Sequence, residues 1–218
     1  MKLDLHSHSH YSRDSNNVPE KVVQKCKELG MGLAITDHNS CAAWKEYKQL
    51  CKQSEIPLVL GEEIQVFEAG KSVGEILGLF MQKEIPPGEW REVLDELKRQ
   101  DALIVLPHPF DVERKAFRYR ERVVWEKKID CIETFNSRAH AALYNAQAEE
   151  YAFEQGLGIS AGSDAHFLEE VGRAFVQAPV DSLEEVRKRL KKGEVEVFGE
   201  RSSLLPHIKT QFAKAGII

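Results

Sequence analysis

The chain has 218 residues, of which 42% are hydrophobic and 30% charged, and its formal net charge is −5 with a sequence pI of about 5.9. This composition excludes a disordered chain, because it supplies enough apolar residues for a sizeable core, and the length fits one domain. The acidic balance disfavours a protein that holds nucleic acid by bulk charge. The longest apolar runs fall short of the ~18 residues that a membrane span needs.

The N-terminus lacks the apolar stretch of a secretion signal, and the four cysteines show no C-x-x-C spacing. Thiols in a protein without an export signal are expected to stay reduced. We therefore expect a cytoplasmic protein with no membrane partner, in which the cysteines are small core residues.

Short apolar runs alternate with amphipathic helices along the chain. The runs typical of buried strands are, in chain order, Lys2–Leu5, Gly32–Thr36, Pro57–Leu60, Ala102–Leu106, Ile129–Phe135, Leu157–Ala161 and Ala174–Val180. Helices are predicted between Pro19 and Gly30, over Ala42–Ser54, around Trp90–Leu97, over Ala139–Gln155 and from Ser182 to Gly193. This alternation indicates an α/β fold with parallel strands and helices outside.

One interruption in the alternation changes the expected barrel. The apolar segments Pro57–Phe67 and Gly74–Met81 are separated by a polar Glu-Ala-Gly-Lys-Ser turn, which predicts a hairpin without an intervening helix. We therefore expect a distorted TIM-like barrel of about seven strands, (β/α)7, instead of a regular eightfold one. The barrel is expected over residues 1–199, with a C-terminal tail over residues 200–218 packed on it.

Polar residues concentrate where the predicted strands end. Five of the eight histidines lie there, namely His6, His8, His38, His108 and His166. Carboxylates in the same places are Asp14, Glu62, Glu63, Glu133 and Asp164. The C-terminal ends of parallel barrel strands meet at one rim, where active sites are built. Imidazoles and carboxylates that converge there without cysteine favour Zn²⁺, Mn²⁺ or Fe²⁺.

Five motifs in a fixed order extend this pattern into a family resemblance. They are His6-Ser-His8 with Asp14 downstream, Thr36-Asp37-His38-Asn39, Gly61-Glu62-Glu63, His108-Pro109 and Gly162-Ser163-Asp164-Ala165-His166. With these motifs the chain resembles the PHP (polymerase and histidinol phosphatase) superfamily from residue 3 to about residue 175. The resemblance implies a distorted (β/α)7 barrel that holds up to three divalent ions and hydrolyses phosphoesters.

Carried over residue by residue, the resemblance also implies the metal ligands. They are His6, His8, Glu62 and Asp164 for one ion; Glu62 as a bridge, His108 and one residue near Glu133–His140 for a second; and Asp14, His38 and His166 for a third. His140 is favoured for the open place in the second set because of its residue type, and Glu133 is the alternative. Glu75 stands where many members carry a histidine, and it is either a ligand, a partner that orients a ligand, or a solvated hairpin residue.

Two or three such ions, Mn, Fe or Zn, would offset the charge of a phosphoester and activate water. We therefore expect Glu62 and Asp164 to be catalytic through the ions. Arg138, just past the fifth strand, is expected to bind phosphate oxygens, because a guanidinium can donate to two of them; Arg13 is the second candidate. A Ser-His-Asp or Cys-His nucleophile set is neither needed nor apparent.

The segment 113–128 is the basic stretch next to the expected site, with seven basic and three acidic residues and three interleaved aromatic residues. Its arginines include Arg114, Arg118 and Arg122. It could bind phosphates or stack a base. Alternatively, it is a helix with a solvated charged face and with its aromatic side chains in the core.

The leading hypothesis is a hydrolase of phosphoric ester bonds that attacks a small phosphomonoester or (oligo)nucleotide with a metal-activated hydroxide. The expected partner is a small phosphorylated substrate, with no stable nucleic-acid complex. Alternatives are an exonuclease acting on nucleic-acid ends, a C–N hydrolase, and a metal-binding regulatory module without turnover. Amidohydrolases typically carry a ligating lysine after a middle strand, which this sequence lacks. A surplus of ligands argues against a purely structural site, which needs one closed coordination sphere.

Overall fold

The computed structural model of the protein describes residues 1–114, 116–118, 120–125 and 127–214. Three members of the basic segment, Lys115, Tyr119 and Glu126, lie outside the described residues, as does the side chain of Trp125. None of the helices in the described part of the chain is both long and apolar enough to cross a membrane.

Helices and strands follow one another along the chain much as the apolar pattern predicts. The helices are α1 (Pro19–Leu29), α2 (Trp44–Ser54), α3 (Trp90–Arg99), α4 (Arg120–Trp125), α5 (Ala142–Gln155), α6 (Leu183–Lys192) and α7 (Leu204–Lys214). The strands are β1 (Lys2–Asp4), β2 (Gly32–Ile35), β3 (Leu58–Glu68), β4 (Lys71–Leu79), β5 (Gly88–Glu89), β6 (Leu103–Leu106), β7 (Cys131–Asn136), β8 (Gly158–Gly162), β9 (Ala174–Gln177) and β10 (Glu196–Gly199). Helix α4 lies in the basic segment, for which a helix is one of the two alternatives, whereas α7, β5 and β10 have no counterpart in the sequence prediction.

Local sequence accounts for the helix ends. Helix α1 begins at Pro19, whose fixed φ suits the first turn, and it ends before Gly30, which takes the left-handed conformation at φ 63°. Helix α6 begins after Ser182, whose hydroxyl accepts a hydrogen bond from the Glu185 amide at 3.2 Å. Ser182 is therefore the N-cap of this helix.

The sheet forms the expected distorted barrel. Strands β1, β2 and β3 are parallel neighbours, as are β6, β7 and β8, and the antiparallel strand β4 joins the two sets. The barrel closes between β8 and the chain around β1, where Leu5 N donates to Ala161 O at 3.2 Å and Asp164 N donates to His6 O at 2.7 Å. The predicted hairpin is β3–β4, and it makes the barrel seven-stranded and irregular.

Strand β9 differs from the parallel set to which the alternation pattern assigned it. It lies antiparallel to β1, and β10 pairs with it on the outer side. Only a short 3₁₀ turn, Leu168–Glu170, lies between β8 and β9. A parallel connection usually contains a crossover helix, and the eleven residues between Gly162 and Ala174 form none, so β9 runs antiparallel to β1.

The inside of the barrel contains its own apolar cluster, to which each of the seven barrel strands contributes. Its strand residues include Leu3, Ala34, Val59, Leu77, Leu103, Cys131 and Ala161. Because side chains alternate along a strand, residues that lie two or four positions before or after an inward residue also point inward. Glu63 shares the inner face with Val59, Glu75 with Leu77, and Glu133 with Cys131. The barrel therefore directs three carboxylates into its interior at one end.

Candidate metal centre

The rim residues predicted from the sequence meet at one end of the barrel. His6, His8, His108, Asp164 and His166 are all buried there, whereas His38 is about one-fifth exposed at its side chain. His108 and Asp164 take positive φ values of 30° and 54°. Such backbone strain in residues other than glycine is held in place only by the surrounding structure, and it clusters at functional sites.

The Glu63 carboxylate lies at the centre of the histidines. Oε2 is 3.0 Å from His38 Nδ1 and 3.5 Å from the Nε2 atoms of both His6 and His8. The second oxygen, Oε1, is 3.1 Å from His108 Nε2. One carboxylate therefore contacts four imidazoles from three rim segments, as a ligand shared between two ions would.

Glu62, the residue assigned as the bridge, points out of the barrel instead. Its Oε2 accepts hydrogen bonds from the Ile85 amide at 3.0 Å and from the Cys41 thiol at 3.4 Å. The structure therefore corrects the assignment by one residue, because successive side chains of β3 face opposite sides. The sequence carried a signal for this, since Glu63 and not Glu62 has the parity of the inward residue Val59.

Asp164 lies beside the first two histidines, as the motif predicts. Its Oδ1 is 3.3 Å from His8 Nε2 and 3.8 Å from His6 Nε2, and its Oδ2 is 2.6 Å from a nitrogen of Arg114. The close approach of β8 to His6 needs Gly162, because a Cβ at that position would lie 2.3 Å from the Cβ of His6. His6, His8 and Asp164 thus form one compact group of candidate ligands.

A second group forms around Asp14, as predicted for the third ion. Asp14 Oδ1 is 3.5 Å from His166 Nε2, and its Oδ2 is 3.7 Å from His38 Nε2. The ring centroids of His38 and His166 each lie 4.4 Å from that of His8. The ligand atoms of these three histidines can therefore converge on one ion.

Glu75 joins the site from the hairpin strand. It is 5% exposed, and together with Glu63 and His108 it forms a third group of candidate ligands. Its Oε1 also lies 3.9 Å from His38 Nδ1. The solvated-residue alternative for Glu75 does not hold, because the β4 register directs this side chain into the barrel.

Glu133 holds other site residues in place. Its Oε1 is 2.8 Å from His6 Nδ1, and its Oε2 accepts hydrogen bonds from the His108 amide at 2.8 Å and from Asn136 Nδ2 at 2.9 Å. A carboxylate on the far nitrogen of an imidazole fixes the ring so that the other nitrogen faces a metal. Glu133 is thus placed to orient His6 as a metal ligand.

His140 lies apart from the three ligand groups. Its Nδ1 is 3.0 Å from Oδ2 of the buried Asp111, and its amide donates to the same oxygen. It lines the cavity beside the centre, so the geometry gives no support to its assignment as a ligand of the second ion.

The donor atoms in the cluster are arranged for cations. Buried atoms without a hydrogen-bond partner include His6 Nε2, His8 Nε2, Asp14 Oδ1, Glu63 Oε2 and Asp164 Oδ1. Leaving such atoms unpaired is costly, so a group of them aimed at common points indicates absent ligands. Nitrogen and oxygen donors in this number suit divalent ions such as Zn²⁺, Mn²⁺ and Fe²⁺, and the residues therefore fit the group that the motifs imply.

The electrostatics of the cluster agree with this fit. Burial opposes ionisation of Glu63, yet the surrounding histidines, led by His6, hold its pKa well below the ordinary value. Burial likewise disfavours a charged His38, yet the nearby carboxylates, led by Glu63, raise its pKa to about 9. Without a cation, the carboxylates raise the pKa of His6 and His38 and so draw protons onto these two imidazoles; a divalent ion would take the place of those protons.

A cavity of about 790 Å³ opens beside the cluster. It is lined by Asp14, His38 and His166 from the cluster and by cationic side chains that include Arg13, Arg114, Arg138 and Lys214. Arg138 is 2% exposed, and its Nη1 has no hydrogen-bond partner. Both candidate phosphate-binding residues, Arg138 and Arg13, thus lie on the cavity, and Arg114 joins them although no spacing in the sequence singled it out.

Most of the described residues of the basic segment lie away from the cavity. Phe117 is fully buried, and its ring packs against Trp90 with centroids 5.8 Å apart. The guanidinium of Arg122 lies over the same indole ring at 5.7 Å, and Arg118 is exposed. Among the described residues of the segment, Glu113 and Arg114 reach the cavity. Phe117 is therefore a core residue, as the second alternative for this segment predicts. Among the described basic residues of the segment, only Arg114 is placed to bind phosphate in the cavity.

Comparisons with known proteins agree with the fold and the motifs. The PHP domain model matches residues 4–207. An uncharacterized protein of Methanocaldococcus jannaschii is 39% identical over 184 residues, which cover 81% of this chain and 70% of that protein.

Solved structures share the fold. A two-domain protein of Bacteroides vulgatus that contains a predicted PHP-like metal-dependent phosphoesterase superposes with a TM-score of 0.76 at 20% identity, covering 92% of this chain and 65% of that chain. The present chain thus spans just under two thirds of that protein. A lesion-specific endonuclease of Pyrococcus furiosus superposes with a TM-score of 0.61 at 18% identity, covering 90% of this chain and 57% of that chain. The match of the PHP model to nearly the whole chain, on a barrel whose rim holds the motif residues, shows that the chain belongs to the PHP domain family.

Proposed function

We propose that the protein is a metal-dependent phosphoesterase that hydrolyses a small phosphomonoester or an (oligo)nucleotide. The observation that carries the proposal is the Glu63 carboxylate, which is buried among four histidines next to a cavity lined by arginines. A phosphate group that entered the cavity would contact guanidinium groups on the arginine side and metal ions on the histidine side. Both are needed to offset the charge that a phosphoester carries.

Two or three divalent ions, Mn, Fe or Zn, would be held by this chain's own side chains. The candidate sets are His6, His8, Glu63 and Asp164; Glu63, Glu75 and His108; and Asp14, His38 and His166. When bound, the ions would supply Lewis acidity and activate a water to hydroxide for attack on phosphorus. Asp164 thus keeps its proposed catalytic role, whereas that of Glu62 passes to Glu63.

The arginines are proposed to bind the phosphate oxygens. The Arg138 side chain lines the cavity, its buried Nη1 has no hydrogen-bond partner, and its Nε lies 3.5 Å from Glu170, so a donor remains for substrate. Arg114 pairs with Asp164 Oδ2 and so lies next to the proposed ions. Charge-assisted donors of this kind bind phosphate in a defined orientation.

The alternative of a nucleic-acid-end exonuclease is tested by the same substrate screen. The fold shared with an endonuclease shows that such a barrel is compatible with a polynucleotide substrate, but at 18% identity it says nothing of this chain's substrate. The acidic net charge of −5 provides little attraction for a long polyanion. We therefore place small phosphomonoesters first.

The decisive experiment loads the protein separately with Mn²⁺, Fe²⁺ and Zn²⁺ and screens phosphomonoesters, phosphodiesters, nucleoside phosphates and short oligonucleotides. We expect release of inorganic phosphate from a small monoester and two or three ions per chain by elemental analysis. The matched pair Glu63→Gln and Glu62→Gln tests the site itself, because only Glu63 faces the cluster. A protein that binds no ion after reconstitution would refute the proposal.

A further inference from the structure

The C-terminal helix α7 lies across the side of the cavity that faces the proposed metal centre. Thr210, Gln211 and Lys214 of this helix line the cavity together with Arg138 and His166. Thr210 is 6% exposed, as is Ala213, so the helix is packed against the barrel on this side. A segment outside the barrel strands therefore contributes to the wall of the cavity.

The chain that leads into α7 is tied to the rim loop after β7. Ser202 N donates to Ser137 O at 2.7 Å, and the Arg201 guanidinium donates to the carbonyls of Ala139 and His140 at 3.1 and 2.8 Å. Lys209 pairs with Glu169 in the loop after β8. The contacts of Ser202 and Arg201 set the position of the helix relative to the site, whereas the solvent-exposed pair of Lys209 and Glu169 adds little.

Two contacts connect α7 to residues of the proposed site. Thr210 Oγ1 accepts a hydrogen bond from Arg138 Nη2 at 2.7 Å and donates to Pro206 O at 3.0 Å. Arg138 is thereby held by Thr210 on one side and by Glu170 on the other, with Nη1 left for a ligand. Burial disfavours its charged form and lowers the pKa of Arg138, yet a guanidinium stays protonated, so it needs such fixed partners and an anion.

Lys214 brings a second cation to the cavity. Its ammonium is 3.2 Å from Asp14 Oδ2, whereas Asp14 Oδ1 faces His166 and has no hydrogen-bond partner. Asp14 thus lies between the ligand cluster and α7, and its Oδ2 is near both His38 and Lys214. An ammonium has three donors, and Lys214 is about half exposed, so it can contact Asp14 and a substrate anion together.

We propose that α7 is the specificity element of the pocket: Thr210 positions Arg138 for phosphate, and Lys214 binds the anionic substrate on the side away from the barrel. The helix would then favour small phosphorylated molecules that contact Arg138 and Lys214 together over the ends of long chains. The selectivity rests on the proposed phosphoesterase activity, whereas the positioning of Arg138 does not. The experiment therefore separates the two.

The first measurement is binding of inorganic phosphate by calorimetry to protein reconstituted with metal. Thr210→Val keeps the shape of the side chain and removes the hydroxyl, so we expect the Kd for phosphate to rise about fivefold, in keeping with one lost hydrogen bond. Lys209→Ala, on the same helix but paired with Glu169, is the matched control and should leave the Kd unchanged. Metal content and the thermal midpoint of both variants should equal those of the parent protein.

The second measurement compares hydrolysis of p-nitrophenyl phosphate with that of a 5′-phosphorylated ten-nucleotide DNA. Lys214→Ala should raise KM for the small ester about fivefold at constant kcat, as expected for one half-exposed charged contact. The rate on DNA should stay level or rise, so that the preference for the small ester falls. Lys209→Ala should alter neither rate.

The outcomes separate this inference from the proposed function. If the parent protein hydrolyses the small ester, but Thr210→Val and Lys214→Ala behave like Lys209→Ala, the role of α7 is refuted and the phosphoesterase stands. If no ester is hydrolysed, but Thr210→Val still weakens phosphate binding, the positioning of Arg138 is supported and the phosphoesterase is refuted. A Thr210→Val protein that binds phosphate as tightly as the parent refutes the positioning role in either case.

Discussion

The two sides of the cavity are built in different ways. The histidine side consists of buried residues at strand ends, whose backbone is held by the barrel and whose rings are oriented by carboxylates such as Glu133. The cationic side consists of Arg114, Arg138 and Lys214, which come from two rim loops and the C-terminal helix. The rigid side is suited to hold ions at fixed separations. The cationic side is formed by loops and a terminal helix, so its residues can differ between proteins with different substrates while the ion sites stay the same.

The largest contrast is expected between the two neighbouring glutamates of β3. Glu63→Gln removes a charge shared by several candidate ligands, so we expect loss of bound metal and abolition of turnover. Glu62→Gln should be mild, because Glu62 contacts the Ile85 amide and the Cys41 thiol outside the barrel. Elemental analysis and phosphate release measure both effects. The reverse ranking would restore Glu62 as the bridge.

On the cationic side, Arg138→Gln should lower kcat/KM by about 10²-fold, since it removes a charged donor from the proposed phosphate site. Metal content should not change, because Arg138 is not among the ligand groups. Arg118→Gln is the matched control, since Arg118 is exposed and does not line the cavity. If metal is lost from Arg138→Gln, the two sides of the cavity are not separate in function.

Removal of a supporting carboxylate should have an intermediate effect. Glu133→Gln keeps a side chain of similar size but weakens the contact of 2.8 Å with His6 Nδ1. Loss of such a partner typically lowers metal affinity about 10–100-fold, and we expect a change of that size in a competition assay with a metal chelator. An unchanged affinity with lower thermal stability would show that Glu133 is only a structural residue of the barrel.

A change of one pH unit is expected to have the smallest effect, which is on the affinity for metal. Since carboxylates led by Glu63 raise the pKa of His38 to about 9, the ring carries a proton at neutral pH in the absence of a cation. An ion must displace that proton, so affinity should rise with pH between 7 and 9 by roughly tenfold per unit for each proton released. Calorimetry in buffers of different ionisation enthalpy measures the proton release. The His38→Asn variant should bind the ion more weakly and with a shallower slope.

Much of the metal centre could be predicted because its residues belong to local motifs at strand ends. His6, His8, His38, Asp164 and His166 follow apolar runs directly, and parallel strands in a barrel bring such positions to one rim. The choice between Glu62 and Glu63 failed, because residue type alone does not say which face of β3 points inward. Glu63 lies four residues after the inward-facing Val59 and therefore points inward too. This assignment requires knowing that Val59 faces the inside of the barrel, which the structure shows.

The cationic side could not be predicted from local patterns. Arg138 was chosen because it follows a strand, but Arg114 lies in an irregular segment, and Lys214 lies 200 residues from its partner Asp14. The β9 segment shows the same limit. Its apolar pattern predicted a strand, but its direction depends on the length of the connection that precedes it.

By itself, then, the amino-acid sequence determined the α/β alternation, the hairpin that makes the barrel irregular, and most of the candidate metal ligands, since these depend on periodicity and on motifs of a few residues. Only the tertiary structure decided that Glu63 is the central carboxylate, that Glu133 orients His6, and that α7 contributes to the wall of the cavity. The physical reason is the range of the contacts. Apolar periodicity is a property of a single helix or strand. The orientation of a buried charge and the wall of a pocket depend on segments that are distant in sequence and pack together.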